Sequence, residues 1–208
     1  PWLAEPLERL RANPRSAHAV LIEGPSGVGQ FELAVAAAQA ALCERPLAPE
    51  PVAASVPALA CGQCAACRLV QAQTHPDLLV LLPEALREPL GWSFSSGEAE
   101  GDAGAASSGS ASAKRKPSRE LRVDDLRTAI AFAQKTSTRG GRKMVVIHPA
   151  ERMNAIAANA LLKTLEEPPP AVQLLLSTGD ASRLLPTLRS RCQSLSLPVP
   201  PADLAAPW

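Results

Sequence analysis

A chain of 208 residues with 46% hydrophobic content is long enough to bury one sizeable core, alone or with a small satellite module, which excludes disorder throughout. Its formal net charge of +1 gives no overall reason to prefer nucleic acid or a membrane surface, so any nucleic-acid contact must be local. No run of about eighteen apolar residues occurs, and Pro1 to Leu10 has no basic region leading into an apolar stretch, which predicts a soluble cytoplasmic protein with no membrane contact. The start without methionine points to trimming or a fragment.

Taken in chain order, His18 to Glu23 is a short apolar run that breaks into Gly24-Pro25-Ser26-Gly27-Val28-Gly29 before Phe31 to Leu42 resumes with helical composition. The segment predicts strand, glycine loop and helix. After a cysteine cluster, Pro76 to Leu82 reads as a buried strand. Trp92 to Ser118 is rich in Ser, Gly and Ala, lacks core-forming periodicity and is expected to be a disordered surface insertion. A helix over Arg122 to Lys135 follows, with Asp124 and Asp125 suited to its first turn, and then a basic, glycine-containing loop, Thr138 to Lys143. Met144 to Ile147 and Val172 to Ser177 are two further strands, separated by a helix over Asn154 to Glu167 that Pro168 to Pro170 must stop. Ala181 to Ser190 reads as a short helix and Ser194 to Leu197 as a last strand before a proline-rich exit. Alternating strands and helices imply an α/β fold with a parallel sheet covered on both faces, and place the glycine loop at the carboxyl ends of the strands.

The loop matches only half of the phosphate-binding pattern G-x-x-x-x-G-K-[ST], in which backbone N–H groups cradle phosphates, a lysine reaches the terminal ones and a hydroxyl holds magnesium. Gly24, Gly27 and Gly29 keep the backbone part, yet Gln30 stands in the lysine place and Phe31 in the hydroxyl place. After Met144 to Ile147, where P-loop ATPases of this build carry acidic residues, the chain reads His148-Pro149-Ala150-Glu151. These losses together remove phosphate neutralisation, metal binding and water activation, so ATP hydrolysis is not expected. Passive nucleotide binding through the loop backbone stays open, and a plain tight turn would also use these glycines.

Five cysteines without a secretory signal argue against a disulfide framework, because the cytosol keeps thiols reduced. Cys61, Cys64 and Cys67 at three-residue intervals, with Cys43 upstream, supply four soft ligands for a closed structural zinc site, with His75 as a substitute fourth ligand.

With these residues in view the chain resembles the delta-prime subunits of the bacterial DNA polymerase III clamp loader, of the AAA+ family. The likeness rests on the degenerate GPSGVGQ loop, the C-x2-C-x2-C module followed by His75-Pro76-Asp77, the helix Asn159-Ala-Leu-Leu-Lys-Thr-Leu-Glu-Glu-Pro168, and Ser190-Arg191-Cys192. It implies a P-loop NTPase-like, three-layer AAA+ (RecA-like) domain over residues 1–197, a zinc module inserted at 43–67, the disordered insertion at 92–118, and at 198–208 the start of a linker to a lid domain. A lid and collar would follow, so the resemblance implies that the chain is a fragment. It also implies a non-hydrolysing ring member, partnered by the gamma/tau and delta subunits, that helps place the sliding clamp on primer-template DNA. Arg191, supported by Ser190, would then be an arginine finger acting in the ATP site of a neighbour.

Arg139, Arg142 and Lys143 are the candidates for a DNA contact, since Gly140 and Gly141 let that loop approach phosphates, although a solvated turn has the same composition. Lys163, Glu166 and Glu167 read as the solvated face of their helix. Two other functions compete: an unconventional NTPase using Gln30 and His148, and a zinc-dependent nucleic-acid-binding module with a vestigial α/β domain.

Overall fold

The computed structural model describes residues 2–12, 18–46, 60–92 and 116–200. In chain order the elements are α1 (Ala4–Ala12), β1 (Ala19–Glu23), α2 (Gln30–Leu42), α3 (Ala65–Gln71), β2 (Leu78–Leu81), α4 (Glu84–Arg87), α5 (Val123–Gln134), β3 (Lys143–Ile147), α6 (Ala155–Glu166), β4 (Val172–Thr178), α7 (Pro186–Arg189) and β5 (Gln193–Ser196), with short 3-10 turns at Ala150–Arg152 and Ala181–Arg183. The strands form one sheet in the order β2-β3-β4-β1-β5, every neighbouring pair parallel. Parallel strands need crossovers, and these carry α1 and α2 to one face and α5 and α6 to the other. The chain therefore forms the expected three-layer α/β fold.

Successive strand residues point to opposite faces, so the sheet feeds two cores. Leu21, Val145, Ile147, Leu174 and Leu176 pack with Leu126 and Ala129 of α5 and Leu161 and Leu165 of α6. Val20, Ile22, Val80, Val146 and Leu175 pack with Leu7 of α1 and Leu33, Ala34 and Ala38 of α2. Each fully buried Leu, Ile or Val contributes roughly 1.5–3 kcal/mol, which is why strands covered on both faces read as unbroken apolar runs. Helix starts are fixed by side chains: Asn154 Oδ1 accepts the Ala157 N–H at 2.8 Å, and Asp125 accepts the Arg122 N–H at 2.8 Å. Among the described residues no helix is long and apolar enough to cross a membrane.

Three expectations need correction. The helix expected over Ala181 to Ser190 is a 3-10 turn followed by the single turn of α7, because Pro186 forces extended backbone on Leu185 and supplies no N–H to continue a helix. Lys143 belongs to β3, not to the basic loop, and is buried. The expected insertion at 92–118 falls outside the described residues over 93–115, but its margins belong to the fold. Trp92 meets Phe31 edge-on at 6.0 Å, and the Ser118 N–H donates to Glu84 Oε2 at 2.9 Å. Of the expected 43–67 module, residues 47–59 lie outside the described part, as do 201–208 of the expected linker.

The loop before β3 is organised by one buried acid. Asp77 accepts hydrogen bonds from the Ser137 hydroxyl (3.0 Å) and the N–H groups of Thr138 (2.8 Å) and Arg139 (3.0 Å). The Lys143 ammonium lies 3.9 Å from the same carboxylate and 3.8 Å above the Phe132 ring. Burial pushes the Asp77 carboxyl up, but its three donors and the Lys143 charge outweigh this and leave it below its ordinary value. A depressed folded-state pKa gives stability that is present above about pH 4 and lost as pH falls through the folded value. Asp77→Ala leaves the Lys143 charge buried and unpaired, and urea unfolding should show a loss of about 3–5 kcal/mol at neutral pH. The variant should also lack the acid-dependent component of stability below about pH 4.

Candidate functional site

Between β1 and α2 the chain makes a glycine turn at the carboxyl edge of the sheet. Gly27 (φ 89°) and Gly29 (φ 96°) occupy the left-handed region that favours glycine. A Cβ on Gly24 would come within 2.9 Å of the Leu197 carbonyl oxygen, so the loop sits against the end of β5 by close backbone approach. Gln30 is buried, and its Nε2 donates to the carbonyl oxygens of Gly24 and Pro25, each at 2.7 Å. Both amide hydrogens are thus spent bracing the loop from inside, where a lysine would project toward phosphate. Phe31 is buried between the Trp92 ring and the imidazole of His148, whose centroid is 5.3 Å away. An aromatic contact fills the position where a hydroxyl would hold magnesium.

At the end of β3, His148 Nδ1 shares a 2.8 Å hydrogen bond with the hydroxyl of Ser177 in β4. Burial lowers the His148 pKa to about 4, opposed by the Glu151 carboxylate. The imidazole is neutral at physiological pH, so it offers neither a cation for phosphate nor an acid for a metal. Glu151 is the residue that sequence reasoning passed over. Its Oε1 accepts the Gly179 N–H at 3.1 Å, while Oε2 is buried with no partner among the described residues. Ser26, Gly27, Gln30, His148 and Glu151 line one cavity of about 280 Å³, together with Arg119 and Arg152. The only signal for Glu151 was its position three residues beyond His148. The cavity is equipped for polar contact but holds no lysine at the loop and no acid at the strand end.

The four cysteines converge at the far end of α2. Sγ atoms of Cys43, Cys61, Cys64 and Cys67 all lie within 4.8 Å of one another, with Cys43 3.6 Å from Cys61 and 3.9 Å from Cys64. Tetrahedral coordination at Zn–S bonds of about 2.3 Å places sulfurs about 3.8 Å apart, so the spacing fits a four-thiolate metal site. Backbone donors already point at the sulfurs: Cys61 N–H to Cys43 (3.4 Å), Cys64 N–H to Cys61 (3.3 Å) and Cys67 N–H to Cys64 (3.4 Å). Burial pushes the Cys64 thiol up, but the Cys67 N–H and neighbouring donors outweigh it and bring it down to about 6. His75, the substitute ligand, stands outside this group: its Nδ1 accepts the Asp77 N–H at 3.1 Å and its Nε2 is buried with no partner among the described residues.

Arg191 lies between α7 and β5, separated from the first residue of that strand by Cys192. Its Nη1 donates to the Thr187 carbonyl at 2.9 Å, and the Ser190 hydroxyl donates to the same carbonyl at 3.1 Å. Of the basic trio, Arg139 is paired with Glu44, Lys143 is withdrawn into β3, and Arg142 lines a separate cavity of about 220 Å³ with Gln173 and Leu175.

A parallel sheet with a glycine loop leading from β1 into α2 defines the P-loop, AAA+-type class of domain. The sequence profile described as "DNA polymerase III, delta subunit" matches residues 2–201. The chain belongs to that family. It is 38% identical to the DNA polymerase III subunit delta' of Pseudomonas aeruginosa over its whole length, covering 51% of that protein. It is 34% identical to the delta' subunit of Escherichia coli K12, again over the whole chain and 51% of the relative. The chain thus spans about half the length of these curated relatives. Among solved structures, a gamma subunit-related DNA polymerase III protein of Thermotoga maritima shares the fold, with a TM-score of 0.57 at 22% identity over 96% of this chain and 48% of that one.

His148 gives this site a pH signature. Its folded-state pKa is depressed, so its stabilising contribution is complete above about pH 6.5 and is lost as pH falls toward 4. The loss should be on the order of 2–3 kcal/mol. Urea midpoints measured from pH 7 to 4 should show this slope in the parent chain, and His148→Gln should remove it.

Proposed function

We propose that the full-length protein is a non-hydrolysing member of the DNA polymerase III clamp loader that donates Arg191 to the ATP site of a neighbouring gamma/tau subunit. It would act in the cytoplasm, beside the delta subunit, while the assembly opens the sliding clamp and sets it on primer-template DNA. The observation that carries this reading is the placement of Arg191 relative to the chain's own loop. Arg191 precedes β5 at the amino edge of the sheet, whereas Gly24 follows β1 at the carboxyl edge, and β1 and β5 run side by side over Val20 to Glu23. Four strand residues at about 3.3 Å each separate them by about 13 Å, so this guanidinium does not serve its own loop. Presented to a neighbour, it would stabilise the charge that spreads over a transferring phosphoryl group.

The reading of an inert loop is supported by Gln30, whose donors are consumed internally, and by Phe31 and the neutral His148. DNA would be met through the assembled complex, since Arg139 and Lys143 are partnered within this chain. Arg191→Ala in the full-length protein should lower ATP hydrolysis by the reconstituted loader while leaving co-assembly intact. Arginine fingers are worth about 10³–10⁵ in rate at the site they serve, so one silenced site is readable even among several active ones. Unchanged hydrolysis would rule out the trans-acting role.

The thiol cluster would hold a structural zinc ion through Cys43, Cys61, Cys64 and Cys67, closing the fourth position to water. Metal analysis should find about one zinc per chain, and Cys64→Ser should lose it with a fall in Tm of about 5–10 °C, since several kcal/mol of folding energy go with the ion.

A further inference from the structure

The guanidinium assigned above to a neighbour's site is engaged within this chain. Arg191 Nη2 lies 2.5 Å from Oε1 of Glu166, the last residue of α6, and the two side chains are 34% and 49% exposed. Its Nη1 is held separately by the Thr187 carbonyl at 2.9 Å. Resting on the arginine-finger reading, we propose that Glu166 is a latch that holds the Nη2 edge of Arg191 until the phosphates of a nucleoside triphosphate in the neighbouring subunit displace it.

Carboxylate and phosphate oxygens compete for the same fork of guanidinium donors, so the N–H groups that face Glu166 are the ones a phosphate would claim. The strength of the contact suits a displaceable holder. An exposed ion pair is worth no more than about a fivefold preference, which the multiple charges of a triphosphate can overcome. The Thr187 contact lies on the other nitrogen and need not break, so it keeps the side chain aimed while the Nη2 edge changes partner. The exchange is a swap of ionic partners; no covalent bond forms or breaks. Glu166 acts on Arg191 and touches no reacting atom, so it is a positioning residue.

The test uses the full-length protein reconstituted with the other clamp-loader subunits, with ATP concentration as the variable. Glu166→Gln keeps the shape and removes the charge. If Glu166 competes with the nucleotide, this variant should lower the ATP concentration for half-maximal hydrolysis by about two- to fivefold with maximal turnover unchanged. Glu166→Asp should restore part of the parent value, and Glu166→Gln should have no effect in an Arg191→Ala background. An unchanged half-maximal concentration, a loss of turnover, or a shift that persists without Arg191 would each overturn the latch. If Arg191→Ala by itself leaves hydrolysis unaltered, the arginine-finger reading fails and the latch with it. If Arg191→Ala impairs hydrolysis but Glu166→Gln shifts nothing, only the latch fails. An unchanged Tm of Glu166→Gln separates any kinetic effect from loss of folding.

Discussion

Every strand of the sheet runs in the same direction, and this polarity governs where each group in the molecule can act. Parallel strands put all their carboxyl ends at one edge, where the segments after β1, β3 and β4 bring Gln30, His148, Glu151 and Gly179 around one cavity. Their amino ends share the opposite edge, where the turn before β3 and the Ser190–Arg191–Cys192 segment before β5 lie. Side chains of the two edges are kept apart by the length of the strands, about 3.3 Å per residue. α6 spans the same gap: it begins close to the cavity, after the Ala150–Arg152 turn, and its 12 residues carry the chain about 18 Å to Glu166 beside Arg191.

The strands β1, β3 and β4 were legible because they are buried on both faces and carry runs of apolar residues. The glycine loop was legible because Gly27 and Gly29 meet a backbone requirement that few other residues satisfy. What sequence could not yield were pairings between distant segments. Glu166 reads as one more charge on a solvated helix face, and only the packing of α7 against α6 brings Arg191 to it. Lys143 reads as part of a basic turn until β3 pairs with β2 and the strand takes it inside, opposite Asp77. The division of Ala181 to Ser190 had a local cause in Pro186, and helical composition outweighed it in the reading.

The thiol cluster is also tied to the rest of the chain by contacts that spacing did not announce. Glu44, next to Cys43, pairs with Arg139, and Asp77 holds the backbone of Thr138 and Arg139. The basic turn is therefore clamped from two sides, by a residue adjoining the cysteine site and by the buried acid immediately before β2. Its composition resembles a mobile phosphate-binding loop, but its hydrogen bonds give it a fixed shape.

The cavity beside the glycine loop has glutamine and phenylalanine at the lysine and hydroxyl places of the phosphate-binding pattern. Active phosphate sites keep charged and polar groups poised and incompletely satisfied, which costs stability. Here Gln30 satisfies two loop carbonyls, Phe31 joins the core between Trp92 and His148, and Ser177 closes the hydrogen bond of a neutral imidazole. Gln30, Phe31 and His148 are thus held by contacts within the fold, while the Glu151 Oε2 atom at this cavity is buried with no partner among the described residues. The carboxyl edge can then serve as a rigid base for the opposite one. A fixed α6 holds the Glu166 carboxylate in place, and a fixed carboxylate can hold Arg191 in one defined orientation with a contact weak enough to give up.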